Sequence, residues 1–298
     1  MLKFLKDTKI KRLQAEVDRL QKEAQDVSWG VKKTNEGIKI LYRELERKNK
    51  ELKELDKLKS EFVSTVSHEL RTPMTIIKES IAQMSDGICG DINEKQERVL
   101  FMALANINRL AKIINDLLDI SKFEAGKLLL EKSLFDIGEL TREVCEGFQA
   151  QAQKHGLALK VGIEDDKIEV YADRDKMIQV FTNLIGNAIK FTGKGSITIK
   201  VKGNADKTVE CSVQDTGKGI SEDDLPKVFD KFQQFGRQDG PGEKGTGLGL
   251  LICKKIIDLH KGTIDIESQI GLGTVIIFTI PCLVDESYIL KGEEENHG

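Results

Sequence analysis

A heptad repeat of apolar residues over residues 10–66 constrains the fold more than any other feature of the sequence. Its a and d positions are apolar in fourteen of seventeen places, the exceptions being one threonine and two lysines. This spacing is typical of a left-handed coiled coil. A single helix cannot bury such a stripe, so a parallel homodimer is the simplest interpretation. A solvated single helix is the alternative, because Gly30 and Gly37 weaken the middle of the segment.

The apolar stripe changes phase where the repeat ends. Val66, Leu70 and Met74 follow one another in steps of four, which indicates a stutter. Residues 86–91, which include two glycines, then break the helix.

A second amphipathic helix follows this break. Asn93 is its predicted N-cap, Gln96 stands at the capping-box position, and an apolar face extends to about Glu124. Two helices joined by a short loop predict a hairpin, and two hairpins from a dimer predict a four-helix bundle.

The period changes again after residue 126, where strand and helix patterns alternate. Strands are predicted at 157–163, 168–171, 197–201, 209–213, 263–267 and 274–280, and helices at 137–154, 174–190 and 249–260. The expected fold class is therefore α plus α+β: a long coiled-coil helix leading into a dimeric four-helix bundle, followed by an α/β sandwich with helices on a mixed or antiparallel sheet.

Composition narrows the setting in which the protein works. A net charge of −3 makes nucleic acid an unattractive partner. The five cysteines are scattered and form no CxxC pair, which favours a reducing compartment over a disulfide framework or a zinc site. Apolar runs fall far short of the ~18 residues that indicate a membrane span. We therefore expect a cytoplasmic chain, and a sensor or membrane segment outside this sequence stays open.

One histidine stands in a setting that suits a nucleophile. His68 lies about 200° around the helix from Val66, so it points away from the apolar seam. Glu69 flanks it, Thr72 follows four residues later, and Pro73 removes a hydrogen bond from the helix. A carboxylate can fix the imidazole tautomer and leave the other nitrogen free to attack. An ordinary surface histidine is the alternative for this residue taken alone.

A group of polar and glycine-rich motifs suits a nucleotide. Asn183, Asn187 and Lys190 share one face of a predicted helix, a combination that fits Mg²⁺ and phosphate oxygens or simply a polar face. Asp215 opens a turn after a strand, and its carboxylate can accept a hydrogen bond from an exocyclic amine while Gly217 and Gly219 allow close approach of a flat base.

A second glycine cluster leads directly into a predicted helix. Gly245, Gly247 and Gly249 alternate with Thr246 and Leu248 just before it, and backbone N–H groups at a helix start bind phosphate. The cluster matches neither a Walker A nor a Rossmann pattern. The segment 221–244 between the two glycine turns is predicted to be a mobile lid.

Taken together, these motifs resemble those of bacterial-type sensor histidine kinases of two-component signalling. The resemblance covers about residues 57–282 and rests on ordered motifs: a phosphoacceptor box at 67–73, an N box at 183–190, a G1 box at 215–220, an F box at 229–232, a G2 box at 245–250 and a closing Gly271-Leu272-Gly273-Thr274.

The resemblance implies a role for each box. His68 would accept the γ-phosphoryl group of ATP with Glu69 as general base. Asn187, with Asn183, would bind Mg²⁺, and Lys190 the phosphates. The remaining nucleotide contacts would come from Asp215, which recognises the adenine amine, and from Gly217, Gly219, Ile220, Phe232, Gly245, Thr246, Gly247, Leu248 and Gly249. Because glutamines follow the F box where relatives carry an aromatic residue and arginine, the basic lid contact falls to Lys231, Arg237 or Lys244.

The family also implies partners and a domain order. The phosphoryl group would pass to an aspartate of a response regulator, and Thr72 would position water for the reverse dephosphorylation. The expected segments are an N-terminal signalling coiled coil (1–56), a dimerisation and phosphoacceptor hairpin (57–126), a catalytic ATP-binding domain (127–284) and a disordered tail (285–298). Two other classes remain: an ATPase related to chaperones, gyrases and mismatch-repair proteins, or a scaffold that binds ATP without chemistry.

Overall fold

The computed structural model describes residues 2–165, 167–233 and 246–282. This part of the chain contains five α-helices and seven strands. The helices are α1 Leu2–Ser85, α2 Glu94–Glu124, α3 Ile137–Lys154, α4 Arg174–Phe191 and α5 Gly249–Leu259. The strands are β1 Lys132–Asp136, β2 Leu157–Ile163, β3 Glu169–Asp173, β4 Gly195–Gly203, β5 Thr208–Asp215, β6 Thr263–Gln269 and β7 Gly273–Pro281. Backbone contacts divide the chain into two units, Met1–Glu61 and Phe62–Gly298.

Residues 2–61 of the first unit are helical, and the apolar heptad side chains described there are exposed. Seven a and d side chains of the heptad repeat are between 45% and 65% exposed: Val17, Leu20, Ile38, Leu41, Leu45, Leu52 and Leu55. No helix among the described residues combines the length and the apolar character that a membrane span needs.

The helical hairpin splits the apolar stripe of α1 between two faces. Met74 and Ile81, seven residues apart, are buried, as are Ile114 and Leu118 on α2. Leu70, by contrast, is 41% exposed, and Ile77 and Met84 on the same side are exposed as well. The hairpin therefore buries only part of its apolar surface within one chain.

The start of α2 confirms the predicted capping box. The Asn93 side chain accepts hydrogen bonds from the N–H groups of Lys95 and Gln96, and the Gln96 side chain accepts one from Asn93 N–H. These bonds satisfy backbone donors that have no partner within the helix and fix where α2 begins.

The rest of the second unit is a two-layer α/β sandwich. The main sheet has the order β2-β4-β5-β7-β6, with β2 and β4 parallel and the other pairs antiparallel. Alternate residues of β4 and β5 are buried beneath the helices, and Phe181 of α4 meets Phe278 of β7 edge to face at 5.4 Å between ring centroids. The predicted fold class, a long helix, a hairpin and an α/β domain, is confirmed.

Every predicted strand and helix of this domain is present with its ends within two residues of the predicted limits, but one strand was missed. That strand, β1, pairs with β3 in a separate two-stranded sheet. Most of its side chains are exposed, so the sequence shows no alternation of apolar and polar residues there.

A buried histidine ties the end of α5 to the start of α4. His260 Nε2 accepts a hydrogen bond from Asp173 N–H at 3.0 Å, and its Nδ1 faces Ile256 O at 2.8 Å. The first contact requires an unprotonated Nε2. Burial lowers the pKa of the imidazole, which also favours the neutral ring. Because Asp173 also caps α4, His260 helps to fix the helix that carries the N box.

Candidate active site

The phosphoacceptor box lies in the last third of α1, on the surface of the hairpin. Ser67 is buried, whereas His68, Glu69 and Thr72 are exposed. Pro73 lies inside the helix. The structure thus presents an imidazole, a carboxylate and a hydroxyl to solvent within about one helical turn.

The N box occupies the second half of α4 and faces two different surroundings. Asn183 is buried, and its Oδ1 accepts a hydrogen bond from Lys112 Nζ of α2 at 3.3 Å. Its amide nitrogen is buried without a hydrogen-bond partner among the described residues. Asn187, one turn further on, is half-buried, and Lys190 is exposed in the last turn. An unpartnered buried donor costs about 1–3 kcal/mol, so such a group suits a place where a ligand binds.

Asp215 ends β5 and forms the first part of the G1 turn. Its Oδ1 accepts a hydrogen bond from Gly217 N–H at 2.7 Å. Burial raises the pKa of this carboxyl, while backbone hydrogen bonds from Gly217 and Thr274 act in the opposite direction. An ionised carboxylate has about four acceptor positions, so two backbone donors leave room for an exocyclic amine.

The glycines of the G1 turn allow backbones to approach at distances that a side chain would prevent. A Cβ on Gly217 would lie 2.4 Å from Phe191 O, at the end of α4. A Cβ on Gly219 would lie 2.0 Å from Gln269 O, and Ile220 N–H donates to Ser268 Oγ at 2.8 Å. The N box, the G1 turn and the β6–β7 connection are thereby packed into one edge of the domain.

The closing glycine motif supports the G1 turn from the other side. Gly273 has φ +110°, and a Cβ there would lie 2.0 Å from Asp215 O. Gly271 also has a positive φ, +80°, but nothing lies within 4 Å of its Cβ position.

This contrast gives a matched pair of variants. Gly273→Ala is expected to lower the free energy of unfolding by about 3 kcal/mol or more, because backbone strain and overpacking add. Gly271→Ala should lose only about 1–2 kcal/mol, the cost of a left-handed alanine. Urea unfolding midpoints measure both, and equal losses in the two variants would contradict the packing described for Gly273.

The F and G2 boxes meet through their backbones. Phe232 N–H donates to Gly247 O at 3.0 Å, and both residues have positive φ values. Leu248 N–H donates to Thr246 Oγ1 at 3.2 Å, which satisfies a donor near the start of α5. A Cβ on Gly249 would lie 3.5 Å from Asn183 Oδ1, so the G2 box also adjoins the N box.

Part of the predicted lid lies outside the described residues. Gly245, the first glycine of the G2 box, belongs there, as do the lid candidates Arg237 and Lys244. The third basic candidate, Lys231, forms an ion pair with Glu124 at the end of α2.

The structure adds contacts that the sequence did not reveal. Described polar contacts between the hairpin and the α/β domain come from α2: Lys112 to Asn183, Asp116 to Thr246, Asp119 to Gln179 and Lys176, and Glu124 to Lys231. Asp116 is 4% exposed, and Thr246 Oγ1 donates to its Oδ2 at 2.9 Å. Burial raises the pKa of Asp116, with the Thr246 hydrogen bond and Lys112 opposing it. In the sequence these charges look like an ordinary solvated helix face.

Fold and site together define a nucleotide-binding α/β domain attached to a helical phosphoacceptor hairpin. Two family models match these parts: the His Kinase A (phospho-acceptor) domain over residues 58–126, and the histidine kinase-, DNA gyrase B- and HSP90-like ATPase over residues 172–283. The chain belongs to the sensor histidine kinases, with a phosphoacceptor domain and an ATP-binding domain.

Curated relatives and solved structures agree with this placement. Sensor protein SrrB of Staphylococcus aureus (strain MRSA252) is 36% identical over 228 residues, which cover 76% of this chain and 39% of the relative. The chain thus spans about two fifths of the length of the curated relatives it matches. ShkA, solved full-length with AMPPNP, has a TM-score of 0.64 at 25% identity, covering 76% of this chain and 46% of ShkA. ThkA, solved with response regulator protein TrrA, has a TM-score of 0.52 at 32% identity, covering 75% and 61%.

Proposed function

We propose that this chain transfers the γ-phosphoryl group of ATP to His68 and then to an aspartate of a response regulator's receiver domain. One observation carries the proposal. The chain combines an exposed histidine beside a carboxylate with an α/β domain in which the N, G1, F and G2 boxes meet at one edge. The solved complex of ThkA with response regulator protein TrrA supports the second step by analogy.

The hairpin supplies the nucleophile. A ring nitrogen of His68 forms a bond to the γ-phosphorus while the bond from that phosphorus to the oxygen of the departing ADP breaks. Glu69 acts as general base and orients the ring, since it is adjacent and also exposed. Transfer to the receiver then returns His68 to its unphosphorylated form for another cycle.

The α/β domain binds and orients the nucleotide. Asp215 accepts from the adenine amine, and Gly217, Gly219 and Ile220 form the wall beside the base. Thr246, Gly247, Leu248 and Gly249, together with Gly245, bring the N-terminus of α5 to the phosphates. Phe232 closes the edge next to Gly247.

The residues present also fit a magnesium ion. The described residues contain no cluster of three acidic, histidine or cysteine ligands. Magnesium brought by a nucleotide needs few protein ligands, because phosphates and water supply the rest. Asn187 and Asn183 offer amide oxygens, and Lys190 lies one turn further along α4 for the phosphates. The ion would neutralise charge on the phosphates during transfer.

A second activity, dephosphorylation of the regulator, is proposed on the position of Thr72. Its hydroxyl lies on the exposed side of α1 four residues from His68, and side chains at this spacing are neighbours on a helix. From there the hydroxyl can orient a water molecule toward a phosphoaspartate bound at His68.

We also propose that the working form is a homodimer. Seven heptad side chains of the first unit, and Leu70, Ile77 and Met84 of the hairpin, are exposed in one chain. A second copy would bury both sets, as a parallel coiled coil over 1–56 and a four-helix bundle over 57–126.

The ATP-binding domain would then occupy 127–284. All five cysteines are free, which supports a cytoplasmic, reducing location.

Labelling with γ-phosphate-labelled ATP and Mg²⁺ tests the proposal. We expect label on the protein that is stable to alkali and lost in acid, as a phosphohistidine is, and transfer of that label to a receiver domain. Hydrolysis of ATP without any label on the protein would instead identify an ATPase, and binding without turnover would identify a scaffold.

A further inference from the structure

Two charged residues of α2 contact the two parts of the nucleotide site that are proposed to bind the metal cation and the phosphate anions. Lys112 Nζ lies 3.3 Å from Asn183 Oδ1, an oxygen proposed to face Mg²⁺. Asp116 Oδ2 lies 2.9 Å from Thr246 Oγ1, in the motif proposed to face phosphate. A cation therefore sits at the metal-binding oxygen and an anion at the phosphate-binding motif.

The spacing of these residues matches the arrangement of the site. Lys112 and Asp116 are four residues apart, so they lie one above the other on α2. Their targets are also adjacent, because the start of α5 at Gly249 packs against the Asn183 side chain. One turn of α2 thus spans both halves of the site.

The contacts of Asp116 cannot coexist with a phosphate at the same place. A threonine hydroxyl has one proton, and that of Thr246 is donated to Asp116. The same hydroxyl accepts from Leu248 N–H, so Asp116 is linked to the N-terminal turn of α5, which attracts anions. A buried carboxylate here repels a triphosphate.

The contact of Lys112 conflicts with a metal ion in the same way. An ammonium group and a divalent cation at one amide oxygen repel each other, and the ammonium group occupies a lone pair of that oxygen. The Asn183 amide nitrogen faces no hydrogen-bond partner among the described residues.

We infer that Lys112 and Asp116 act as an internal substitute for magnesium and phosphate, so that α2 and Mg–ATP compete for the same site. This inference rests on the proposed ATP-binding function. Nucleotide binding releases the ATP-binding domain from α2, and a change in the hairpin that strengthens the α2 contacts lowers the affinity for ATP. The apparent association constant for ATP is the intrinsic one multiplied by the fraction of molecules whose site is free of α2.

Nucleotide affinity of the full chain tests the competition. Asp116→Asn keeps the shape and the acceptor oxygen but removes the charge, and Lys112→Met removes the cation. Each is expected to lower the Kd for a fluorescent ATP analogue with Mg²⁺ by about fivefold or more, a usual size for coupling between sites. Glu97→Gln is the matched control, because Glu97 is exposed in the first turn of α2 and makes no polar contact with the α/β domain among the described residues, so its Kd should equal that of the unmodified chain.

A cross-linking rate provides a readout that does not depend on affinity. The variants Asp119→Cys and Gln179→Cys, combined in a Cys89→Ser background, should be joined rapidly by a short bismaleimide, because the native side chains are 2.7 Å apart. A saturating non-hydrolysable ATP analogue with Mg²⁺ is expected to slow the reaction at least about fivefold.

The inference is overturned if both charge variants bind the analogue as the unmodified chain does, or if the analogue leaves the cross-linking rate unchanged. Either result would mean that α2 and the nucleotide bind side by side. Failure of the proposed function looks different, because the unmodified chain would then show no saturable binding of the analogue at all.

Discussion

Replacing His68 by glutamine is expected to abolish phosphorylation of the protein completely while leaving ATP binding intact. Glutamine keeps a polar side chain on the exposed face of α1 but has no nucleophilic ring nitrogen. Because His68 is exposed and belongs to the hairpin, its loss should disturb neither the core nor the nucleotide motifs. Protein-bound label after incubation with γ-phosphate-labelled ATP measures the first effect, and the Kd for a fluorescent ATP analogue measures the second.

His155→Gln is the matched control for this experiment. His155 is also exposed, but it follows α3 in the α/β domain and belongs to none of the motifs. We expect full labelling of the His155 variant. Label on the His68 variant at the level of the unmodified protein would refute the phosphoacceptor assignment, and so would loss of label in the His155 variant.

Replacing Asn187 by alanine is expected to weaken Mg²⁺-dependent nucleotide binding strongly and to abolish phosphorylation with it. Asn187 is half-buried in α4, one turn from Asn183, and its amide oxygen is the proposed magnesium ligand. Loss of a ligand or of its support lowers metal-dependent affinity by about tenfold to a hundredfold. Alanine is a better helix former than asparagine, so α4 itself should persist. Titration of the fluorescent analogue with and without Mg²⁺ gives the size of the effect.

The dependence on Mg²⁺ separates a ligand from a structural residue. If Asn187 binds the ion, the variant and the unmodified chain should differ in the presence of Mg²⁺ and converge in excess chelator. Asn204→Ala, in the connection between β4 and β5, serves as control because its side chain bonds only to Thr208 in the described residues. An Asn187 variant that keeps Mg²⁺-dependent affinity would exclude the residue as a ligand.

The α2 contacts make Asn183 and Asn187 unequal targets for testing the magnesium site. Asn183, predicted from the sequence as a second magnesium ligand, accepts a hydrogen bond from Lys112, whereas no polar contact joins Asn187 to α2 among the described residues. Substitution of Asn183 would therefore remove a proposed metal ligand and an α2 contact together, with opposite effects on affinity. Asn187 gives the clearer test of the metal site.

Local sequence signals proved sufficient for most of the secondary structure. The capping box at Asn93 and Gln96 is local, because the bonded groups lie within one turn, and it was predicted and found. The strands of the main sheet carry buried alternate residues, which makes them visible as period-two patterns. The strand β1 was missed because its neighbour β3 lies more than thirty residues away and its own side chains are mostly exposed.

Glycine positions show where a local signal and a tertiary cause meet. The sequence predicts a close approach at Gly217 and Gly219, but not what approaches. The structure supplies the partners: the end of α4 for the first and the β6–β7 connection for the second. It also explains why the closing motif has glycine at 273, since the close contact with Asp215 exists only when β5 and β7 are paired.

The sequence by itself determined the order of helices and strands, the exposed setting of His68 and the motifs of the nucleotide site, because each depends on residues within a few turns or strand positions of one another. Only the tertiary structure decided how the apolar stripe of α1 divides between two faces, and that Lys112 and Asp116 of α2 meet Asn183 and Thr246. Those contacts join residues 71 and 130 positions apart in the chain. Charges spaced four apart on a helix look alike in sequence whether they face water or another domain. Only the packing of the ATP-binding domain on α2 shows that this pair contacts the nucleotide motifs.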